Sequence, residues 1–296
     1  AGKNEPEPRD DAETLAKARR DAAGLARFSA PAPGGVSRTD VEVPGEGGPI
    51  PVRIYRPDGA ARPRLLVWFH GGGTIAGSLD THEPVLMALA ARTGRAVASV
   101  GYTLAPEAVF PAQHDECLSA ASWLARHADA LELDPERWAL GGDSVGGLYA
   151  AAASRSLRDA GFRPMPAAQV LLYPNTDLRE ERDFPSLREN EGRIMTRSSL
   201  GFEARTAVPD PADRAGPRAS PLLAADLAGL PETLLVTAEA DPLRDEGRRY
   251  GERLREAGVA LRHRELPGMI HAFLQMNARI EAADETMGEI GTFLDR

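Results

Sequence analysis

The sequence is short of cysteine, of positive charge and of long apolar runs, and each shortage removes a class of protein. Cys117 is the one cysteine in 296 residues. An internal disulfide is therefore excluded, and a reducing cytoplasm is the simplest expected compartment. Lys and Arg number 35 against 44 Asp and Glu, for a formal net charge of −9. That balance argues against a partner nucleic acid and against an anionic membrane, since both need a basic patch. No stretch approaches the ~20 apolar residues of a membrane span. Residues 1–11 are polar and acidic and lack the apolar core of a signal peptide. The chain begins at Ala1 rather than Met, which fits trimming of its start. There are no internal repeats.

What is present is an alternation. Hydrophobic residues make up 42 %, and 29 Gly and 24 Pro provide for many tight connections. Residues 39–43 and 50–55 read as two amphipathic strands. Leu65-Leu66-Val67-Trp68-Phe69 is a continuous apolar run, as expected of a strand covered on both faces. Similar runs recur at 96–100, 138–140, 168–173, 233–237 and 259–266. Helix-length segments separate them. Residues 114–131 put Cys117, Ala120, Ala121, Leu124, Ala128 and Leu131 on one face, and 278–295 place Ile280, Met287, Ile290 and Leu294 similarly. A further helix is expected over 12–28. Strand and helix at this interval predict an α/β fold, a mostly parallel sheet flanked by helices, as one domain over 1–296. Residues 176–220 depart from the pattern: rich in Arg, Glu, Asp and Pro, they are longer than a crossover needs. Such a loop is uncommon unless functional, and it reads as an inserted lid.

Gly142-Asp143-Ser144-Val145-Gly146 fits G-x-S-x-G between an apolar run and a good helix former. That is the strand–turn–helix setting of an exposed nucleophile. The turn is sharp enough that a β-carbon two residues to either side of Ser144 would clash. The motif alone is weak, because short glycine–serine patterns recur by chance. His70-Gly71-Gly72-Gly73, directly after Phe69, is far rarer. Successive glycines let backbone N–H groups turn into a concavity that receives an oxyanion, together with the N–H of Val145. A phosphate-binding loop is the alternative, but the spacing and the lysine it needs are missing.

A base and an acid should follow Ser144 in the chain. His271 sits in Pro267-Gly268-Met269-Ile270-His271, a loop beyond a strand, where α/β sheets collect functional groups. His263 alternates within a strand between Arg262 and Arg264 and reads as a strand-surface residue. Beyond the run 233–237 come Glu239 and Asp241, and spacing does not choose between them. Asp241 could also serve as a helix cap. Asp245 reads as a helix-dipole or ion-pairing residue, and Asp177 enters the lid.

The motifs HGGG, GDSVGG (142–147), DPLRDEG (241–247) and GMIHAF (268–273) stand together in order. With them the chain resembles the bacterial hormone-sensitive-lipase family of esterases, family IV of the α/β-hydrolase fold, from about Val52 onward. The resemblance implies a catalytic Ser144, Asp241 and His271, which favours Asp241 over Glu239. It implies an oxyanion hole from Gly71, Gly72, Gly73 and Val145, and a small helical cap from about 1–38 and 176–220. It implies hydrolysis of esters with short to medium acyl chains, with no metal and no other cofactor. Thr74, Ile75, Asp143, Tyr173, Phe202 and Ile270 are the expected pocket residues. The chain departs from the family's pattern at Thr74, Val145 and Thr103, and its cap lacks tryptophan.

The expected substrate is a small-molecule ester, with no stable membrane insertion. A homodimer through the sheet edge or last helix fits the fold. Two other readings use the same residues: a silent ligand-binding protein on this scaffold, and acyl transfer or amide cleavage by the same triad.

Overall fold

The computed structural model describes residues 10–296. Residues 1–9 of the expected cap lie outside the described residues. Among the described residues eight strands form one sheet in the order β1-β2-β4-β3-β5-β6-β7-β8. They are β1 (Val36–Val43), β2 (Ile50–Pro57), β3 (Arg64–Phe69), β4 (Ala96–Val100), β5 (Asp134–Asp143), β6 (Ala168–Leu172), β7 (Glu232–Ala240) and β8 (Leu261–Ile270). β2 pairs antiparallel with β1 and β4, and every later pair is parallel.

Strand β3 shows why the central runs are apolar throughout. Leu65, Val67 and Phe69 enter one core and Leu66 and Trp68 the other, as period-two side chains must. Helices α3 (Ala112–Arg126), α4 (Val145–Asp159) and α8 (Arg244–Glu256) supply Leu124, Leu148 and Leu254 to the first core. Helices α2 (Leu79–Thr93) and α9 (Glu281–Leu294) supply Leu86, Leu89, Met287 and Ile290 to the second. No described helix is long and apolar enough to cross a membrane.

Several boundaries differ from the expected ones. β5 extends past 138–140 at both ends, because Glu136 and Arg137 lie at its exposed start and Gly141 and Gly142 at its far end. β8 runs to Ile270, past the apolar stretch, so His271 follows the strand at once. The first helix is α1 (Asp11–Leu25), started by the Asp10 carboxylate accepting from Glu13 N–H and followed by a 3-10 turn. α3 ends at Arg126, short of the expected Leu131, which belongs to a separate 3-10 turn.

The stretch 176–220 folds into three helices, α5 (Pro185–Glu189), α6 (Arg197–Ala207) and α7 (Pro211–Arg214). It is tied to the start of α8. Glu246 accepts from Thr176 N–H at 2.6 Å, and Asp245 accepts from Ser186 N–H at 2.9 Å. Arg182 lies 3.2 Å from Glu246. Leu15, Ala18 and Ala22 of α1 pack on the same core as Ala204, Ala207 and Val208.

Candidate active site

Ser144 stands between the end of β5 and the first residue of α4, with φ 56° and ψ −123°. A non-glycine residue in this region stores strain, of order 1–3 kcal/mol, which the surroundings must hold. They hold it through the backbone: Ser144 N–H donates to the Leu172 carbonyl at 2.9 Å, and its own carbonyl accepts from Gly147 and Asn175. The flanking glycines are sterically required. A β-carbon on Gly142 would fall 2.2 Å from the Gly146 carbonyl oxygen, and one on Gly146 only 1.9 Å from that of Phe69.

Strand ends bring the partners. β7 ends one residue before Asp241 and β8 one residue before His271, so both side chains reach the same edge as Ser144. His271 Nε2 lies 2.8 Å from Ser144 Oγ, and Nδ1 lies 2.8 Å from Asp241 Oδ2. The other Asp241 oxygen accepts from Leu243 N–H at 2.8 Å. The arrangement is enclosed, with Asp241 0 %, His271 4 % and Ser144 9 % exposed. Burial pulls the His271 pKa down, but Asp241, with Asp143 and Glu203, outweighs it and leaves the imidazole above its ordinary value. Tyr173 meets the imidazole edge-on at 4.9 Å and is itself packed edge-on against Phe273 at 5.3 Å, which fixes the imidazole's plane.

The glycine loop faces Ser144 from the end of β3. A β-carbon on Gly71 would lie 3.2 Å from Ser144 Cβ, and Gly72 and Gly73 take φ of 123° and 63°. The N–H groups of Gly72, Gly73 and Val145 donate to no acceptor among the described residues. Unpaired amides at a helix N-terminus and a glycine turn are an anion cradle.

The loop is pinned from behind. Tyr102 donates to the His70 carbonyl at 2.7 Å and stacks on its ring at 4.3 Å. Burial, and then the nearby His82, hold the His70 pKa down to about 4, so it stays neutral.

Glu239 and Asp241 take different partners. Glu239 accepts from Gly268 N–H at 2.6 Å, outside the strand end, while Asp241 takes the imidazole. His263 bonds Thr237 at 3.0 Å within the sheet, Asp177 pairs with Arg179, and Asp245 with Arg244.

Four of the six expected pocket side chains are instead engaged with the scaffold. Thr74 bonds the Tyr149 hydroxyl at 2.7 Å, Ile75 enters the core, and Tyr173 braces His271. Asp143 accepts from Trp68 Nε1 at 3.0 Å and lies 3.3 Å from His82 Nε2. Burial pushes that carboxyl up, but His82 and Trp68 hold it below its ordinary range. The reason is shared: the chain turns sharply at the ends of β3, β5 and β6 and sends these side chains inward. Phe202 and Ile270 remain half-buried.

Glu203, absent from the expected residues, reaches the glycine loop from α6. The signal that could have found it is its place three residues after Leu200 on a helix that buries Leu200, Ala204 and Ala207. Among the described residues no three His, Cys, Asp or Glu side chains gather as a metal site.

A serine, an imidazole and a carboxylate in line beside free backbone amides, at one end of a mostly parallel sheet, define the hydrolase class to which the comparisons also lead. Residues 66–275 match the family described as having the alpha/beta hydrolase fold. An ethyl acetate hydrolase of Pseudomonas putida is 40 % identical over 244 residues, 81 % of this chain and 76 % of that one. A Mycobacterium tuberculosis carboxylesterase is 39 % identical over 245 residues, with the same two shares. Among solved structures, the thermostable carboxylesterase EstE1 from a metagenomic library superposes with a TM-score of 0.89 at 33 % identity, covering 96 % of each chain. A Pyrobaculum calidifontis esterase gives 0.88 at 35 % identity, over 96 % of this chain and 93 % of that one. The chain belongs to the α/β-hydrolase family and, within it, to the hormone-sensitive-lipase-type esterases of family IV.

Proposed function

We propose that the protein is a serine carboxylesterase in which Ser144 is the nucleophile, His271 the base and Asp241 the acid that orients it. The observation that carries this reading is the line Asp241–His271–Ser144, with two 2.8 Å contacts beside unpaired amides. His271 Nε2 takes the Ser144 proton as Oγ attacks the ester carbonyl. The tetrahedral oxyanion accepts from Gly72, Gly73 and Val145 N–H groups, each such donor being worth ~2.7–4 kcal/mol. The imidazolium, steadied by Asp241, gives its proton to the leaving alcohol. Water then repeats the cycle on the acyl-enzyme and releases the acid.

Residues 176–220 with the first helix act as the cap over this centre, and Phe202 and Ile270 are its apolar walls. Val145 narrows the acyl side, which suits short to medium chains. The enzyme works in the cytoplasm, and β8, the last strand of the sheet, is the edge at which a second copy would dock.

The test is turnover of p-nitrophenyl butyrate. Ser144→Ala should lower kcat by about a million-fold with the thermal unfolding curve unchanged. A folded Ser144→Ala protein that keeps near-native turnover rejects the assignment. Against a silent binding protein stand the imidazole 2.8 Å from the serine and relatives named as ester hydrolases.

A further inference from the structure

The carboxylate at the reacting centre that the triad does not use belongs to Glu203. Helix α6 buries Leu200, Ala204 and Ala207, spaced four and three apart, and Glu203 lies on the flank of that face. Its side chain is half-buried and ends against the glycine loop. A β-carbon on Gly73 would fall 2.4 Å from Glu203 Oε2 and 2.8 Å from its Cγ. The Gly73 N–H is one of the donors assigned to the oxyanion, so this carboxylate stands beside the place where the ester carbonyl must lie. It also acts on the imidazole of His271.

No hydrogen bond or salt bridge ties this carboxylate to another described residue. The other inward-facing acids are all engaged: Asp241 by Leu243 and His271, Asp143 by Trp68 and His82, Glu246 by Thr176 and Arg182. Half-burying an acid with no protein partner weakens its hydration without return, and a helix needing only to pack there would carry an apolar residue. Acids kept unpaired in a cleft mark places where a ligand supplies the partner.

We propose that Glu203 is a specificity-determining residue that receives the ammonium group of a cationic ester, so that the preferred substrates carry a positive charge close to the scissile carbonyl. This rests on the esterase reading and names its substrate class. An ionised acid beside a developing oxyanion opposes it, and a substrate cation next to both relieves that opposition. The gain is largest in the transition state, so it enters kcat/KM. Esters bearing a carboxylate are disfavoured for the same reason. The charged groups acting on Glu203 are His271 and Arg182. Burial raises its carboxyl to about 7 against their pull, so its charge grows through neutral pH.

The experiment compares kcat/KM for two matched pairs. On the acyl side, the p-nitrophenyl ester of trimethylammonio-butanoic acid is set against its tert-butyl carbon isostere. On the alcohol side, butyrylthiocholine is set against the dimethylbutyl thioester. In at least one pair the wild-type enzyme should favour the cation by about tenfold or more, and the pair that does so identifies the side of the ester that Glu203 reads. Glu203→Gln should remove that preference. Wild-type preference should also rise between about pH 6 and about pH 8, because His271 titration cancels in the ratio. A ratio near one in both wild-type pairs, or a preference that survives in folded Glu203→Gln, overturns the proposal. Should the variant not fold, the wild-type ratio and its pH dependence decide. Failure to hydrolyse even the neutral esters would overturn the esterase reading itself, and this one with it.

Discussion

The turn that carries Ser144 and the helix α6 reach the same centre by opposite means. Around Ser144 the backbone does the positioning: Gly142 and Gly146 sit too close to neighbouring carbonyls to bear any side chain, and the serine's own N–H and carbonyl are both engaged. On α6 the backbone is an ordinary capped helix, begun by a reciprocal Thr196–Ser199 box, and what reaches the centre is the end of one side chain. The first arrangement tolerates almost no change and serves the chemistry that every substrate needs. The second can be altered one residue at a time, and it serves discrimination among substrates.

Three changes probe that division, beginning with the largest effect. Asp241→Asn should lower kcat by about ten-thousand-fold, because the amide cannot hold the imidazole in the tautomer that accepts the serine proton. Steady-state rates on a neutral ester check this, and a loss below tenfold would return Glu239 to consideration. Gly73→Ala should cost about a hundred- to a thousand-fold in kcat, since the positive φ disfavours a side chain and shifts a loop that carries an oxyanion donor, while the end of Glu203 must also move aside. The double variant Gly73→Ala with Glu203→Ala sharpens the comparison. Recovery of part of the rate would assign the collision to the helix, and no recovery would assign the loss to the loop's own geometry.

The smallest effect is on pH. His271 must be neutral to accept a proton, and its pKa is raised above the ordinary ~6.5, so kcat/KM should fall as pH drops through a value higher than that. In Asp241→Asn the limb should move to lower pH, because the main opposition to burial has gone. A wild-type limb below the ordinary histidine value would contradict the charge balance described for this site.

What the sequence made legible follows the same division. Ser144, the glycines 71–73 and His271 could be read because backbone constraint forces particular residue types into fixed order. Asp241 could not be separated from Glu239 by residues alone: both stand near the end of β7. It takes the extra length of β7 and β8 to turn Glu239 outward to Gly268 and Asp241 toward the imidazole. The expected pocket was the least legible part. Asp143 ends β5 and Tyr173 follows β6, and side chains at such sharp turns point where packing sends them, which here is inward. Glu203 went unseen because 176–220 is crowded with acids, and only the helix phase shows which one turns toward the centre.

The most direct test of the central claim is labelling with a fluorophosphonate probe followed by peptide mass mapping. The account predicts one adduct per chain, on Ser144, in folded wild-type protein, and none in Ser144→Ala. A folded wild-type sample that takes no label, or takes it on another residue, would contradict it.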